Sequence, residues 1–114
     1  MMMKTERLAR RKEFEAVCTE GKSWSNNLVA LRALPNSLGS NRYGFAAGKR
    51  LGGAVVRNRV KRRLREVVRR TTIKDGWDMV FIARQAATET DYRTLKKAME
   101  ELLARAQLLG NGRG

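Results

Sequence analysis

No histidine occurs in the 114 residues, and there is one cysteine, Cys18, and one proline, Pro35. The missing histidines remove the commonest general base. With a single cysteine, no Cys/His zinc site and no internal disulfide can be built. Acidic residues are scarce, 11 against 25 lysines and arginines, and they are scattered. Glu13 and Glu15, and likewise the neighbours Glu100 and Glu101, are spaced so that a helix points them in different directions. Asp75 and Asp78 flank a turn, which turn and strand-start chemistry explains. A two-metal nuclease needs several converging carboxylates, and none can be assembled, so the chain alone does not read as a catalyst. No apolar run is long enough to span a bilayer. The basic start carries Glu6, Glu13 and Glu15 and no uninterrupted apolar segment, which fits neither a secretory signal nor a transit peptide. The expected setting is cytoplasmic, without a membrane partner.

Positive charge is what the chain has in plenty. The formal net charge is +14 and the sequence pI is near 11.2, which points to a nucleic acid first and to an anionic membrane surface second. The length fits one domain, 1–114, with 1–9 and 107–114 expected as flexible ends. The charge is concentrated in Lys49 to Arg70, KRLGGAVVRNRVKRRLREVVRR, where ten of 22 residues are basic and only Glu66 is acidic. After Gly52-Gly53 the stretch predicts a helix from Ala54. Val56, Val60, Leu64, Val67 and Val68 recur on one face, and Lys61, Arg62, Arg65 and Arg69 fall opposite. Arg57 projects close to the apolar stripe. The charge is almost all guanidinium, a flat fork that takes two phosphate oxygens and stacks on bases. Such density self-repels unless a polyanion neutralises it.

Around this helix the chain predicts an α+β, two-layer domain. A short helix, RKEFEAVCTEG, starts near Arg11, puts Phe14, Val17 and Cys18 on one face, and stops at Gly21. Strand material fills Lys22 to Leu34, with a break at Asn26-Asn27. Alternation separates Val29, Leu31 and Ala33 from Leu28, Ala30, Arg32 and Leu34. A turn follows, then a strand over Tyr43 to Ala47, expected to form a hairpin with its predecessor. Met79 to Ala83 is the most strand-like run and predicts a central strand. Thr88 and Asp91 are spaced like a capping box before a last helix, Asp91 to Ala106, with Leu95, Met99, Leu102 and Ala106 on its apolar face.

The run KRLGGAVVRNRVKRRLRE resembles the signature of the bacterial ribonuclease P protein component. Its basic pair is Lys49 and Arg50, its glycine Gly52, its Ala-Val pair Ala54 and Val55, and its Arg-Asn-Arg core Arg57, Asn58 and Arg59. Val60, Lys61, Arg62 and Arg65 complete it. FEAVCTEGKS, RYGFAAGKR, DMVFIAR and DYRTLKKAMEELL resemble the family's flanking elements in the same order. The resemblance implies an αβββαβα fold with a mixed sheet and a left-handed βαβ crossover, like the second domain of a small-subunit ribosomal protein. It also implies a holoenzyme whose RNA subunit carries out the hydrolysis that removes the 5′ leader of precursor tRNA. Mg2+ is then held mainly by RNA phosphates and none by the protein alone.

By the same resemblance the Arg57–Arg65 region faces the RNA subunit, and the long helix with the loop before it is expected to clamp phosphates of the folded RNA through Lys49, Arg50, Arg57, Asn58, Arg59, Lys61, Arg62, Arg65 and Arg69. The resemblance also implies a cleft between the first helix and the sheet that takes the single-stranded leader, with Phe14 as aromatic platform; Lys22, Arg32 and Lys49 are expected to join Phe14 in holding that extended strand. Cys18 and Arg32 stand where relatives often carry aromatics, so the groove is expected to lean on charge more than on stacking. Rival readings are a ribosomal or assembly protein using the helix as RNA glue and, less in keeping with the motif, a duplex-DNA module or a stand-alone nuclease.

Overall fold

The computed structural model describes residues 5–8 and 11–110, with 5–7 as backbone. The order is β1 (Thr5–Arg7), α1 (Arg11–Glu20), β2 (Lys22–Ser25), β3 (Val29–Pro35), β4 (Asn41–Ala47), α2 (Ala54–Arg69), β5 (Trp77–Ala83) and α3 (Tyr92–Arg105). Short 3-10 turns precede α2 and α3. The strands form one mixed sheet in the order β1-β4-β5-β3-β2. β1, β4 and β5 run parallel, while β3 and β2 are antiparallel to their neighbours. The α+β expectation therefore holds, with a short first strand ahead of α1 that the sequence did not announce.

β5 is central, and its composition says why. Met79, Val80 and Phe81 are fully buried, so both faces of the strand are covered, as a strand between parallel and antiparallel neighbours requires. Its position overturns the expected β3–β4 hairpin. β5 pairs with both of these strands, Arg32 opposite Val80 and Tyr43 opposite Met79, and so lies between them. The unit β4–α2–β5 is the βαβ crossover.

α2 and α3 cover one face of the sheet. Val60, Leu64 and Val67 from α2 and Leu95, Met99, Leu102 and Leu103 from α3 close over Leu31, Met79 and Phe81. α1 covers the other face with a smaller cluster: Leu8, Val17 and Val80, with Phe14, Leu34 and Ile82 packed against them. At Asn26 the break between β2 and β3 is an Asx turn, its Oδ1 accepting from the N–H groups of Leu28 and Val29.

One local expectation is corrected. Asp91 is itself the N-cap of α3, accepting from Thr94 N–H at 2.8 Å, while Thr88 donates to Gln85 O instead of forming a capping box. At the ends expected to be flexible, 1–9 and 107–114, the described residues make a few contacts. Leu8 N–H donates to Tyr43 O, Leu108 is buried, and Leu109 bridges to Ile73; residues 1–4, 9–10 and 111–114 lie outside the described residues.

Candidate nucleic-acid interface

α2 begins where the backbone is bare. Gly52 adopts φ +138°, and a Cβ there would lie 3.2 Å from Val56 Cβ, so glycine alone is suited to the turn. Gly53 caps the helix with no side-chain hydrogen bond, leaving its first N–H groups directed outward. Lys49 and Arg50 stand exposed on the 3-10 turn just before it.

The outer face of α2 then presents Asn58, Arg59, Arg62, Arg65 and Arg69 to solvent, with Arg57, Lys61 and Arg63 half-buried. Arg63 and Arg69, together with Arg70 at the helix end, make hydrogen bonds or ion pairs with protein groups. Arg63 Nη1 donates to Thr90 O at 2.9 Å, tying α2 to the start of α3. Arg69 pairs with Glu66 at 3.2 Å, as does Arg70 at 2.6 Å; these exposed helical pairs contribute about 0.3–0.5 kcal/mol each. Arg65 lies with its guanidinium carbon 5.6 Å above the Phe45 ring, a cation–π contact that aims it across the sheet. Arg57 is the exception the sequence flagged beside the apolar stripe: its Nε is buried and has no hydrogen-bond partner among the described residues.

On the other face Phe14 settles over Gly44, where a Cβ would come 3.0 Å from its Cε2. The outer edge of β4 is covered by β1 only as far as Tyr43. At the step beyond it opens a cavity of about 230 Å3 lined by Leu8, Phe14, Gly44, Phe45, Lys61 and Arg65, among others. Tyr43, Phe45 and Phe81 form a stacked series, with centroids 6.3 and 6.1 Å apart, under its α2 side. Burial pushes the Tyr43 hydroxyl pKa up, opposed by its hydrogen bond with Asn41.

The groove residues expected from the sequence are thus only partly gathered. Phe14 is brought to Lys61 and Arg65, which had been assigned to the RNA-subunit face. Lys22 is directed away: it lies opposite Ala33 on β3, directly paired residues share a face, and Ala33 belongs to the α2/α3 core. Arg32 is on the α1 face, but its Nη1 is engaged, donating to Cys18 O at 2.7 Å. Tyr43, Gly44 and Phe45 were missed, although the alternation in RYGF placed the two aromatics on one face and the glycine on the other. Among the described residues no group of three or more acidic, Cys or His side chains is placed to hold a metal ion. Asp78 and Glu66 are engaged with arginines, and no helix is long and apolar enough to cross a membrane.

Comparison with known proteins agrees with this geometry. The family model described as Ribonuclease P matches residues 2–107. The chain is 44% identical over 108 residues to a ribonuclease P protein component of Dehalococcoides mccartyi, covering 95% of this chain and 90% of that one. It is 45% identical over 111 residues to one from Symbiobacterium thermophilum, covering 95% and 96%. Among solved structures, the RNase P protein of Staphylococcus aureus superposes with a TM-score of 0.83 at 28% identity, over 94% of this chain and 100% of that one. The RNase P protein from Thermotoga maritima gives 0.81 at 32%, over 88% and 96%. Superposition of this extent preserves connectivity and hand, so the β4–α2–β5 crossover has the hand found in those proteins.

Proposed function

The chain belongs to the ribonuclease P protein family, and from that premise we propose that it is the protein subunit of a ribonuclease P holoenzyme in the cytoplasm. It binds the catalytic RNA and the 5′ leader of precursor tRNA, and the RNA makes the cut that frees the mature 5′ end. The single observation that carries this reading is the cavity in which Phe14 from α1 meets Lys61 and Arg65 from α2. An aromatic surface beside paired cations, at a strand edge that no described strand covers, suits an unpaired nucleotide: the ring stacks on a base and the cations take the neighbouring phosphates. The outer face of α2, with Arg59 and Arg62, together with Lys49 and Arg50 before it, suits the backbone of a folded RNA. Duplex DNA is not an expected partner.

Mg2+ belongs to the RNA in this scheme. The acids that would compete for it are held by arginines, as Asp78 is by Arg42 and Glu66 by Arg69 and Arg70. The protein's cations screen phosphate repulsion and add binding energy for substrate, so its effect is greatest where magnesium is scarce.

Reconstitution with the cognate catalytic RNA tests this. Precursor tRNA processing is expected to persist at magnesium concentrations too low for the RNA alone, with affinity that grows with the leader. Equal magnesium dependence with and without protein would overturn the proposal. Binding that ignores leader length would favour an assembly role, and cleavage by RNA-free protein would restore a nuclease reading.

A further inference from the structure

Polar contacts hold α1 to the sheet from two strands, and the side chains that make them stay out of the cavity. Arg42 and Asp78 are register partners on β4 and β5. They meet in a two-point pair, Nε to Oδ1 at 2.8 Å and Nη2 to Oδ2 at 2.7 Å. Asn36 Nδ2 donates to the same carboxylate at 2.8 Å. The remaining arm of Arg42, Nη1, reaches Glu13 Oε2 on α1 at 2.9 Å. Glu13 immediately precedes Phe14, and Arg42 and Gly44 are two apart on β4, on one face. Helix and strand are therefore matched pair by pair: Glu13 on Arg42, Phe14 on Gly44. One turn further along, Arg32 rises from β3 to Cys18 O, one of the last carbonyls of α1, where the helix itself supplies no donor. Phe14 thus sits between two arginine struts.

What the struts contribute is direction. The Arg42, Glu13 and Asp78 side chains are only 19%, 25% and 6% exposed, and well-packed apolar residues would often hold two elements together as firmly as such a buried cluster does. A guanidinium fork adds a fixed orientation. The hydrogen bond to Asp78 is the main cause holding the Arg42 pKa above its ordinary value.

We infer that Glu13, Arg42 and Arg32 are positioning residues for the aromatic platform: they set the height and tilt of α1, and act on the single-stranded RNA through the Phe14 ring rather than by touching it. This rests on the leader-binding reading above and reassigns Arg32, expected from the sequence to be a groove cation.

A double-mutant cycle in the reconstituted holoenzyme tests it, comparing affinity for precursor tRNA with and without a leader. Phe14→Ala should lower the leader-dependent gain by about fivefold to a hundredfold, the worth of one base stacked on an aromatic side chain. Glu13→Ala should lose part of the same gain, and the double variant should be no worse than Phe14→Ala. Glu13→Gln, which keeps an acceptor for Arg42, should recover most of it. Arg32→Met should weaken leader binding without changing its salt slope; a slope lower by about 0.7 would mean a lost phosphate contact. Additive losses in the double variant, or equal loss on leaderless tRNA, would overturn the inference while leaving leader binding intact. A wild-type complex with no leader-dependent gain would overturn both.

Discussion

Helices α2 and α3 lie on the same face of one sheet, and their inner sides are alike. Val60, Leu64 and Val67 on one, and Leu95, Met99 and Leu102 on the other, are all but fully buried in a common core. Their outer sides differ. α2 carries seven cations and one acid over 16 residues. α3 carries four cations and two acids over 14, and its Lys96 is paired with Glu100 at 2.6 Å. α3 also has an ordinary start, capped by Asp91, whereas α2 starts on bare glycines. The fold needs two apolar stripes, and each helix supplies one. Both helices bear cations beyond what the fold pairs, such as Arg93 and Lys97 on α3, but the surplus on α2 is far larger, and that density is what sets its outer face apart.

The comparison is sharpest where the helices should behave alike. Leu64→Ala and Leu102→Ala should each cost about 2–5 kcal/mol, read as a shift in denaturant midpoint. A loss confined to one of them would mean that the shared core is not shared. The next effect should split the pair. Arg59→Ala and Arg62→Ala should lower the salt slope of RNA binding by about 0.7–0.9 for each phosphate released, with little change in melting. Arg93→Ala and Lys97→Ala on α3 should leave that slope unchanged, and equal effects on both helices would erase the distinction. The smallest effect concerns the caps. The Thr94 hydrogen bonds hold the Asp91 carboxyl below its ordinary value of 3.8. Its contribution is therefore complete above that pH and fades as the pH falls through the lowered value. Acid titration of Asp91→Asn against the parent should show the fade in the parent alone; α2, with no carboxylate cap, offers nothing to titrate there.

How far the sequence reached depended on the kind of information each feature carries. Period and punctuation are local, so α1, α2, α3 and the central place of β5 could be read directly. Strand partnership is not local. The expected β3–β4 hairpin followed chain adjacency, and nothing in either strand says that a segment 30 residues on will slide between them. Lys22 failed for a different reason. Counting alternation from Trp24, an inward-facing aromatic packed on the core, places Lys22 on the α3 side, whereas its place in the groove rested on its charge and not on parity. Arg32 was placed on the correct face, and only the coordinates show its fork engaged by a helix carbonyl. The outer residues of α2 were legible because an amphipathic helix states both of its sides at once.

β5 hands its odd-numbered side chains to one layer and its even-numbered ones to the other, Phe81 beneath α2 and Val80 beneath α1. The two halves of the molecule accordingly share a spine. Drift in the sequence of that strand would disturb the Phe14 cavity and the basic face of α2 together, whereas the helices can be retuned separately. Attempts to alter preference for one RNA should leave the spine untouched and work from the outside inward.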